Sequence, residues 1–234
     1  MGPRTLDDTQ KNRLSCIIDI VEDDFALAEG LMLLFESCDY KSRHFSSGEV
    51  YLNDLEHQSD DPRDAIPGCV LLDIRLSNIS GLMVFDRMQK LQRKFAKPVI
   101  FITGHGDMDT AIDVLTHGAF DFVNKPFVSE SLLGKVERAV DKNAEELQYL
   151  ILREDALDKV RSLTPKEFAV MQKIAAGMSN REISEENGNS VRTIELHRAH
   201  VMRKMGVNNA VELTTLLSRY DLIDTLAHNF PDIK

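Results

Sequence analysis

The sequence contains no tryptophan and only three cysteines, and this scarcity bears on the compartment in which the protein works. Cys16, Cys38 and Cys69 are odd in number and form no CxxC pair, so the sequence indicates neither a disulfide framework nor a thiolate metal site. We interpret them as reduced residues of a hydrophobic core, which is typical of a cytoplasmic protein.

Long apolar runs are also missing. No stretch approaches the roughly 18 consecutive apolar residues that a membrane-spanning helix needs. Residues 1–14 are polar rather than signal-like, and we expect them to form a loose N-terminal arm. The sequence therefore predicts a soluble, cytoplasmic protein without a membrane partner.

The chain is poor in basic residues, with 28 Lys+Arg against 38 Asp+Glu and a net charge of −10. The deficit lies in residues 1–160, which carry 18 basic and 29 acidic residues, whereas residues 161–234 carry 10 and 9. This distribution argues against a whole-protein polyanion binder but permits a local basic surface. A length of 234 residues favours two domains, so any nucleic-acid contact is expected in the second one.

What the sequence does contain is a set of apolar runs that each end in polar, chemically active residues. These are 16–21 before Glu22 and Asp23, 70–72 before Asp73, 98–102 before Thr103, and 120–123 before Lys125 and Pro126. Such runs are typical of parallel strands buried on both faces, and ligands bind at the carboxyl edge of such sheets. Carboxylates that converge there raise each other's pKa unless a cation neutralises them, and oxygen ligands suit Mg²⁺.

The segments between these runs have the apolar spacing of helices, at residues 25–37, 46–55, 80–95 and 108–116. Residues 41–45 can form a further strand, and Ser46 with Glu49 predicts a capping box for the next helix. Alternating strands and helices with right-handed crossovers predict an α/β domain with a five-stranded parallel sheet. The flavodoxin-like strand order 2-1-3-4-5 is the natural choice for it.

Two further motifs are ITGHGD at 102–107 and GAFDFVNKPF at 118–127. Together with the strand-ending acids they resemble the receiver domain of two-component response regulators of the FixJ/NarL family, closest to its FixJ branch, over about residues 15–140. The resemblance implies that a sensor histidine kinase phosphorylates Asp73 and that Mg²⁺ is the cofactor. The implied Mg²⁺ ligands are Glu22, Asp23, Asp73 and the backbone carbonyl of Arg75.

The resemblance also implies a phosphate-contacting and switch set, which consists of Thr103, Phe122, Lys125 and Pro126. Thr103 and Lys125 match the positions that contact phosphate, and Phe122 matches the aromatic switch position. We expect the Lys125–Pro126 bond to be cis, by the resemblance and because the ammonium must turn back over the acid cleft. Ser77 stands where the family usually has a proline four residues after the acceptor, so the loop after Asp73 should be less rigid.

From Ser129 the helical pattern continues for longer than a receiver domain needs. Leu133 to Val140 should pack against the sheet, and residues 141–160 are predicted to be a helical linker that lacks glycine and proline and is therefore rigid. An apolar stripe continues along it through Leu147, Leu150 and Leu157. The stripe either pairs with another subunit in a homodimer or packs on the second domain, and we favour pairing.

The second domain, residues 161–234, is predicted to be all-α. A serine or threonine cap starts each of three helices. The caps are Thr164 and Ser179, which form capping boxes with Glu167 and Glu182, and Ser190. A tight glycine-bearing turn between the second and third helices makes the domain a helix-turn-helix. The third helix carries a net charge of +3 over residues 192–204, which suits contact with nucleic acid.

LTPKE at 163–167, GMSNREIS at 177–184 and TIELHRAHVMRKMGV at 193–207 resemble the LuxR-type DNA-binding domain over about residues 161–220. The resemblance implies that the third helix enters the major groove of double-stranded promoter DNA. Glu195, Leu196 and Ala199 would face bases. The residues implied to lie near phosphates are Arg192, Thr193, Arg198, Arg203 and Lys204. The alternative is a solvated basic helix that contacts no DNA.

Asn187 and Asn189 depart from the family pattern, which normally has apolar residues at these positions. Burying an unpaired amide costs on the order of 1 to 3 kcal/mol. We therefore expect a turn that is strained, mobile or hydrogen-bonded locally.

The combined motifs predict a transcription regulator that is phosphorylated on Asp73, dimerises and binds promoter DNA, with RNA polymerase as a possible partner and without enzymatic turnover. An aspartate-nucleophile phosphatase is one alternative, but position 75 is arginine where such enzymes have an acid. An autoinducer-binding LuxR protein is another, and it would leave Glu22, Asp23 and Asp73 without a role.

Overall fold

The computed structural model describes residues 15–91, 95–104 and 115–222. The predicted arm at 1–14, most of the predicted helix at 108–116 and the last residues of the second domain, 223–234, lie outside the described residues. The chain forms two compact units, of which the first ends at Leu150 and the second begins at Ile151. Among the described residues, no helix combines the length and apolar character that spanning a membrane requires.

The first unit contains a five-stranded parallel sheet in the order β2-β1-β3-β4-β5, which confirms the predicted topology. The strands are β1 Ile17–Val21, β2 Lys41–Phe45, β3 Gly68–Asp73, β4 Val99–Thr103 and β5 Asp121–Asn124. All residues of β3 and β4 are buried, as expected of central strands covered on both faces.

Helices cover both faces of the sheet, and in the described residues of the first unit they are α1 Phe25–Glu36, α2 Gly48–Glu56, α3 Gly81–Lys90 and the start of α4 Ser129–Arg161. One core cluster joins alternate residues of β1 and β3, such as Ile18 and Leu71, to α1 and α4. The other cluster joins the intervening residues, such as Val70, to α2 and α3. The alternation follows from the period of two along a strand.

Two helix boundaries differ from the sequence prediction. The N-cap of α2 is Ser47 rather than Ser46, because Ser47 has the extended backbone of a cap and its hydroxyl accepts from the N–H of Val50. Helix α3 ends at Lys90 instead of continuing to residue 95, and the next residue, Leu91, is 39% exposed.

The second unit contains four described helices that follow α4, namely α5 Pro165–Ala175, α6 Asn180–Asn187, α7 Val191–Met205 and α8 Ala210–Arg219. The capping boxes at Thr164 and Ser179 and the cap at Ser190 are present as predicted. Their apolar faces form one core, in which Ile194, Val201 and Met205 of α7 are fully buried.

The turn between α6 and α7 does not bury its two asparagine side chains. Asn187 and Asn189 are both exposed, so no amide is buried without a partner. The Asn187 Oδ1 accepts from the Nζ of Lys173 at 2.6 Å. Gly188 provides the left-handed conformation at the end of α6, with φ of 63°, which a side chain at that position would disfavour.

Helix α4 is continuous from Ser129 to Arg161, and its stripe is interrupted by Asn143 for a structural reason. Asn143 is buried, and its side chain accepts from the N–H of Gly68 at the start of β3 at 2.9 Å. The position of Leu157 contradicts the prediction that this residue pairs with another subunit. Leu157 lies in the core of the second unit beside Ala156 and Val160 and is 4% exposed. A side chain covered within its own chain has no surface left for a partner subunit.

The other two stripe residues differ from each other. Leu147 is 5% exposed within the single chain, so it also offers little surface for pairing. Leu150 is partly exposed. Pairing through the linker therefore stays a prediction for Leu150 alone.

Candidate functional site

Three carboxylates converge at the carboxyl edge of the sheet. Asp73 is the last residue of β3, and Glu22 and Asp23 directly follow the neighbouring parallel strand β1. Their carboxylate oxygens lie within 4.8 Å of one another. Glu22 is 1% and Asp73 is 5% exposed, so the sequence prediction of an acid cleft at this edge is confirmed.

Local structure fixes these acids in place. Asp24 caps α1 by accepting from the N–H groups of Ala26 and Leu27, which turns the chain immediately after Glu22. Gly81 begins α3 where a Cβ atom would lie 2.1 Å from the carbonyl oxygen of Asp73. Glycine at position 81 therefore lets α3 start directly against the end of the acceptor strand.

Lys125 reaches the same cleft from the loop after β5. Its Nζ lies 2.8 Å from Glu22 Oε2 and 2.8 Å from Asp73 Oδ2, so one ammonium bridges two of the three acids. Its own N–H donates to the carbonyl of Thr103 at 2.7 Å, which ties this loop to the end of β4. The Lys125–Pro126 peptide bond is cis, as predicted.

The electrostatics of the cleft indicate an excess of negative charge. The pKa of Glu22 is raised to about 7: burial is the largest cause and the charge of Asp73 adds to it, while the hydrogen bond from Lys125 acts in the opposite direction. For Lys125, burial lowers the pKa, but the hydrogen bonds to Asp73 and Glu22 outweigh it and leave the pKa raised. Three carboxylates against one ammonium are a donor set that fits a divalent cation such as Mg²⁺.

The remaining predicted residues surround this cleft. Thr103 ends β4, next to β3 in the sheet, and is fully buried. The N–H of Arg75 donates to Asp73 Oδ1 at 3.1 Å. Phe122 in β5 is partly buried against the core on the side of α2 and α3, and the Lys135 ammonium lies 5.7 Å from the centre of its ring.

One contact in the cleft was missed by the sequence reasoning. The hydroxyl of Ser77, which replaces the usual proline, donates a short hydrogen bond to Asp23 Oδ2. A proline could not donate this bond, and the presence of serine beside an acid-rich loop was the signal that could have revealed it.

Helix α7 of the second unit presents a polar face opposite its buried one. All three residues predicted to face bases are exposed, and they are Glu195, Leu196 and Ala199. Leu196 is 57% exposed, so its side chain is accessible to a partner. Of the predicted phosphate contacts, Arg192 and Arg203 are also exposed.

The other predicted phosphate contacts already have partners within the unit. Lys204 Nζ donates to Glu167 Oε2 at 2.6 Å and to the carbonyl of Ser162 at 3.0 Å. Arg198 Nη1 donates to Asn180 Oδ1 at 3.3 Å, and the Thr193 hydroxyl lies 2.8 Å from that of Ser190. The hydrogen bond from Lys204, together with those from Thr164, lowers the pKa of Glu167 to about 2, so Glu167 is charged and paired with Lys204 at neutral pH.

A parallel-sheet domain with an acid cleft at its carboxyl edge, followed by a helix-turn-helix unit with an exposed basic helix, is the architecture of a DNA-binding response regulator. The family model described as response regulator receiver domain matches residues 18–137. The model described as bacterial regulatory proteins, luxR family, matches residues 161–217. The chain belongs to the response regulators of two-component systems, with a receiver domain and a LuxR-type DNA-binding domain, and it is a transcriptional regulator.

Individual relatives agree with this assignment over nearly the whole chain. Transcriptional regulatory protein FixJ of Bradyrhizobium diazoefficiens is 33% identical over 211 residues, which cover 88% of this chain and 97% of FixJ. Response regulator protein TodT of Pseudomonas putida is 32% identical, covering 87% and 86%. The solved structure of response regulator StyR superposes with a TM-score of 0.77 at 29% identity and covers 88% of this chain and 100% of that one.

Proposed function

We propose that Asp73 is the phosphoacceptor of this response regulator and that a sensor histidine kinase is the donor. The observation that supports the proposal is the bridge from Lys125 to both Glu22 and Asp73 at the carboxyl edge. In the transfer, a carboxylate oxygen of Asp73 attacks the phosphorus of a phosphohistidine. A P–O bond forms, the P–N bond breaks, and the imidazole leaves with the electron pair. The product is an acyl phosphate on Asp73.

The acids around Asp73 are suited to hold Mg²⁺ together with the backbone carbonyl of Arg75. Glu22 and Asp23 supply the further carboxylates, as their separation from Asp73 allows. When bound, Mg²⁺ compensates the negative charge of the phosphoryl oxygens, which would otherwise face three carboxylates. The contact from Ser77 to Asp23 holds one of these ligands from the side of the loop after β3.

Lys125 and Thr103 lie beside Asp73, where they can respond to its phosphorylation. Lys125 already lies within hydrogen-bonding distance of Asp73 and can neutralise a phosphoryl group placed there. Movement of Thr103 toward the phosphate would open space for Phe122 to turn inward, and the neighbouring receiver surface would then form a homodimer. Two helix-turn-helix units related by a two-fold axis would read an inverted repeat in promoter DNA, with RNA polymerase as a further contact in the cytoplasm.

Turnover as a phosphatase is not favoured by the geometry. Arg75 contributes its backbone N–H to Asp73, and no acid stands at this position to activate water. A lasting phosphoprotein that is cleaved by hydroxylamine, formed after incubation with acetyl phosphate, supports the phosphoacceptor role, whereas continuous release of phosphate without a labelled protein contradicts it.

Removal of the metal is expected to stop the transfer. The chain incubated with acetyl phosphate and Mg²⁺ should accumulate phosphoprotein, and excess chelator should reduce the rate at least about a hundredfold, because the phosphoryl oxygens would meet uncompensated carboxylates. Phosphate-affinity gel electrophoresis over time measures the rate at which the phosphoprotein forms. Restoring Mg²⁺ is the control, and an unchanged rate in chelator would contradict Glu22 and Asp23 as ligands.

The proposed DNA contacts predict different effects for two adjacent basic residues of α7. Arg203→Gln should weaken binding to a mixed-sequence duplex and reduce the slope of log K against log salt by about 0.9, because one phosphate contact is lost. Lys204→Gln should change the slope much less, since Lys204 is held by Glu167 and Ser162. Fluorescence anisotropy at several salt concentrations measures both. Equal slope changes for the two variants would show that the contact to Glu167 does not withhold Lys204 from DNA.

A further inference from the structure

A second polar cluster lies in the first unit toward the opposite edge of the sheet from Asp73. Asp19 of β1 is fully buried and accepts from Arg43 Nε at 2.8 Å and from Lys97 Nζ at 2.9 Å. The phosphoacceptor role uses none of these three residues. A buried carboxylate with two cations is costly to desolvate, so the arrangement needs its own explanation.

This cluster forms part of the wall of a cavity of about 390 Å³. The cavity also has an apolar wall, to which Leu55, Ile66 and Met88 contribute. Helices α2 and α3 and the chain leading into β3 and β4 supply this lining. The volume lies within the range of small-molecule pockets, as does the combination of an apolar wall with a few polar groups.

Tyr51 of α2 lines the same cavity and carries an unusual hydroxyl. The side chain is fully buried, and the hydroxyl has no hydrogen-bond partner among the described residues. Burial, together with the charge of Asp19, raises the pKa of the phenol well above its ordinary value, so the hydroxyl keeps its proton at neutral pH. A buried phenol without a partner is costly, and a ligand with an acceptor atom would remove that cost.

The charges around the cavity indicate which ligands it would take. Arg43 and Lys97 are balanced by Asp19 and Asp64, and Asp64 in turn accepts from the hydroxyl of Ser59 at 2.8 Å. Because the described residues of the lining carry two positive and two negative charges, they offer little net attraction to an ion. The lining also contains other donors, but the Tyr51 hydroxyl is the one that has no partner among the described residues. An apolar wall and this unpartnered donor match an uncharged molecule that carries a hydrogen-bond acceptor.

We propose that this cavity is a second ligand site of the receiver unit, and that it binds an uncharged, single-ring or similarly small apolar molecule whose carbonyl or ether oxygen accepts from Tyr51. The site is separate from the acid cleft and requires no phosphorylation.

Titration of the full chain with acetophenone tests the proposal, with methyl-¹³C-methionine as the NMR reporter. The methyl signal of Met88 should shift in a saturable manner. Met83 is the internal reference, since it is half exposed on the same helix and is not among the described residues of the cavity wall. A Met88 signal that does not shift, or that shifts only together with Met83, would overturn the proposal.

The variant Tyr51→Phe tests the hydrogen bond. The affinity for acetophenone should fall about three- to tenfold, which corresponds to one hydrogen bond, while that for ethylbenzene, which lacks an acceptor, should not fall. The ligand-free variant should melt no lower than the wild type, because the deleted hydroxyl has no partner in the fold. Tyr149→Phe, at an exposed tyrosine, is the matched control and should change neither affinity.

Three results would contradict the assignment. An equal loss of affinity for both probes in Tyr51→Phe would show that the hydroxyl does not bind the ligand. A markedly lower melting temperature of the ligand-free variant would show that the hydroxyl already has a partner. Tighter binding of benzoate than of acetophenone to the wild type would show that the site selects anions. Asp73 phosphorylation is assayed separately, so failure of this site leaves the phosphoacceptor proposal standing.

Discussion

Asp73→Asn is expected to reduce phosphorylation of this protein by acetyl phosphate to below detection. The amide has nearly the same shape as the carboxylate but lacks the nucleophilic oxygen that forms the acyl phosphate. Phosphorylation-stimulated dimerisation should be lost with it. Phosphate-affinity electrophoresis measures the first effect, and sedimentation equilibrium with and without acetyl phosphate measures the second.

The variant should remain folded, because one of three crowded carboxylates is removed. The charge of Asp73 contributes to the raised pKa of Glu22, so the pKa of Glu22 should fall toward its ordinary value in the variant. Asp86→Asn, at an exposed aspartate of α3 paired with Lys90, is the matched control and should be phosphorylated at the wild-type rate. A labelled Asp73→Asn protein would reject Asp73 as the acceptor.

The architecture of the receiver unit could be predicted because its signals are local. Apolar runs, interrupted in β1 only by Asp19, marked the central strands, and the parallel order fixed where Glu22, Asp73 and Thr103 would meet. The capping boxes at Thr164 and Ser179 were likewise visible, because each is contained within four residues.

Contacts between distant residues could not be predicted in the same way. The ion pair of Lys204 with Glu167 joins residues 37 positions apart, and that of Lys97 with Asp19 joins residues 78 apart. Each ion pair depends on how helices and strands pack. From its residue type alone, a lysine is as well suited to solvent or to DNA as to a distant carboxylate. Leu157 is a similar case, because its spacing along α4 fits both a subunit interface and a domain core.

Leu157→Ala is expected to destabilise the second unit by about 2 to 5 kcal/mol, as for other leucines truncated in a packed core. Its neighbours in that core include residues of α7, so the slowest-exchanging amides of Ile194 and Val201 should lose protection about thirty- to several-thousand-fold. Leu152→Ala, on the same helix but 45% exposed, is the matched control and should change stability by less than about 0.5 kcal/mol.

The concentration dependence of this loss separates core packing from subunit pairing. If Leu157 acts within its own chain, the loss of amide protection should be the same at low and high protein concentration, because no association equilibrium is involved. If Leu157 pairs subunits, the loss should be large at concentrations where the wild type is dimeric and vanish on dilution. Phosphorylation of Asp73 in the first unit should proceed in either case, since its nucleophile and the contacts of Lys125 remain intact. The burial of Leu157 beside Ala156 and Val160 favours the concentration-independent result, which would leave dimerisation to the receiver surface and Leu150.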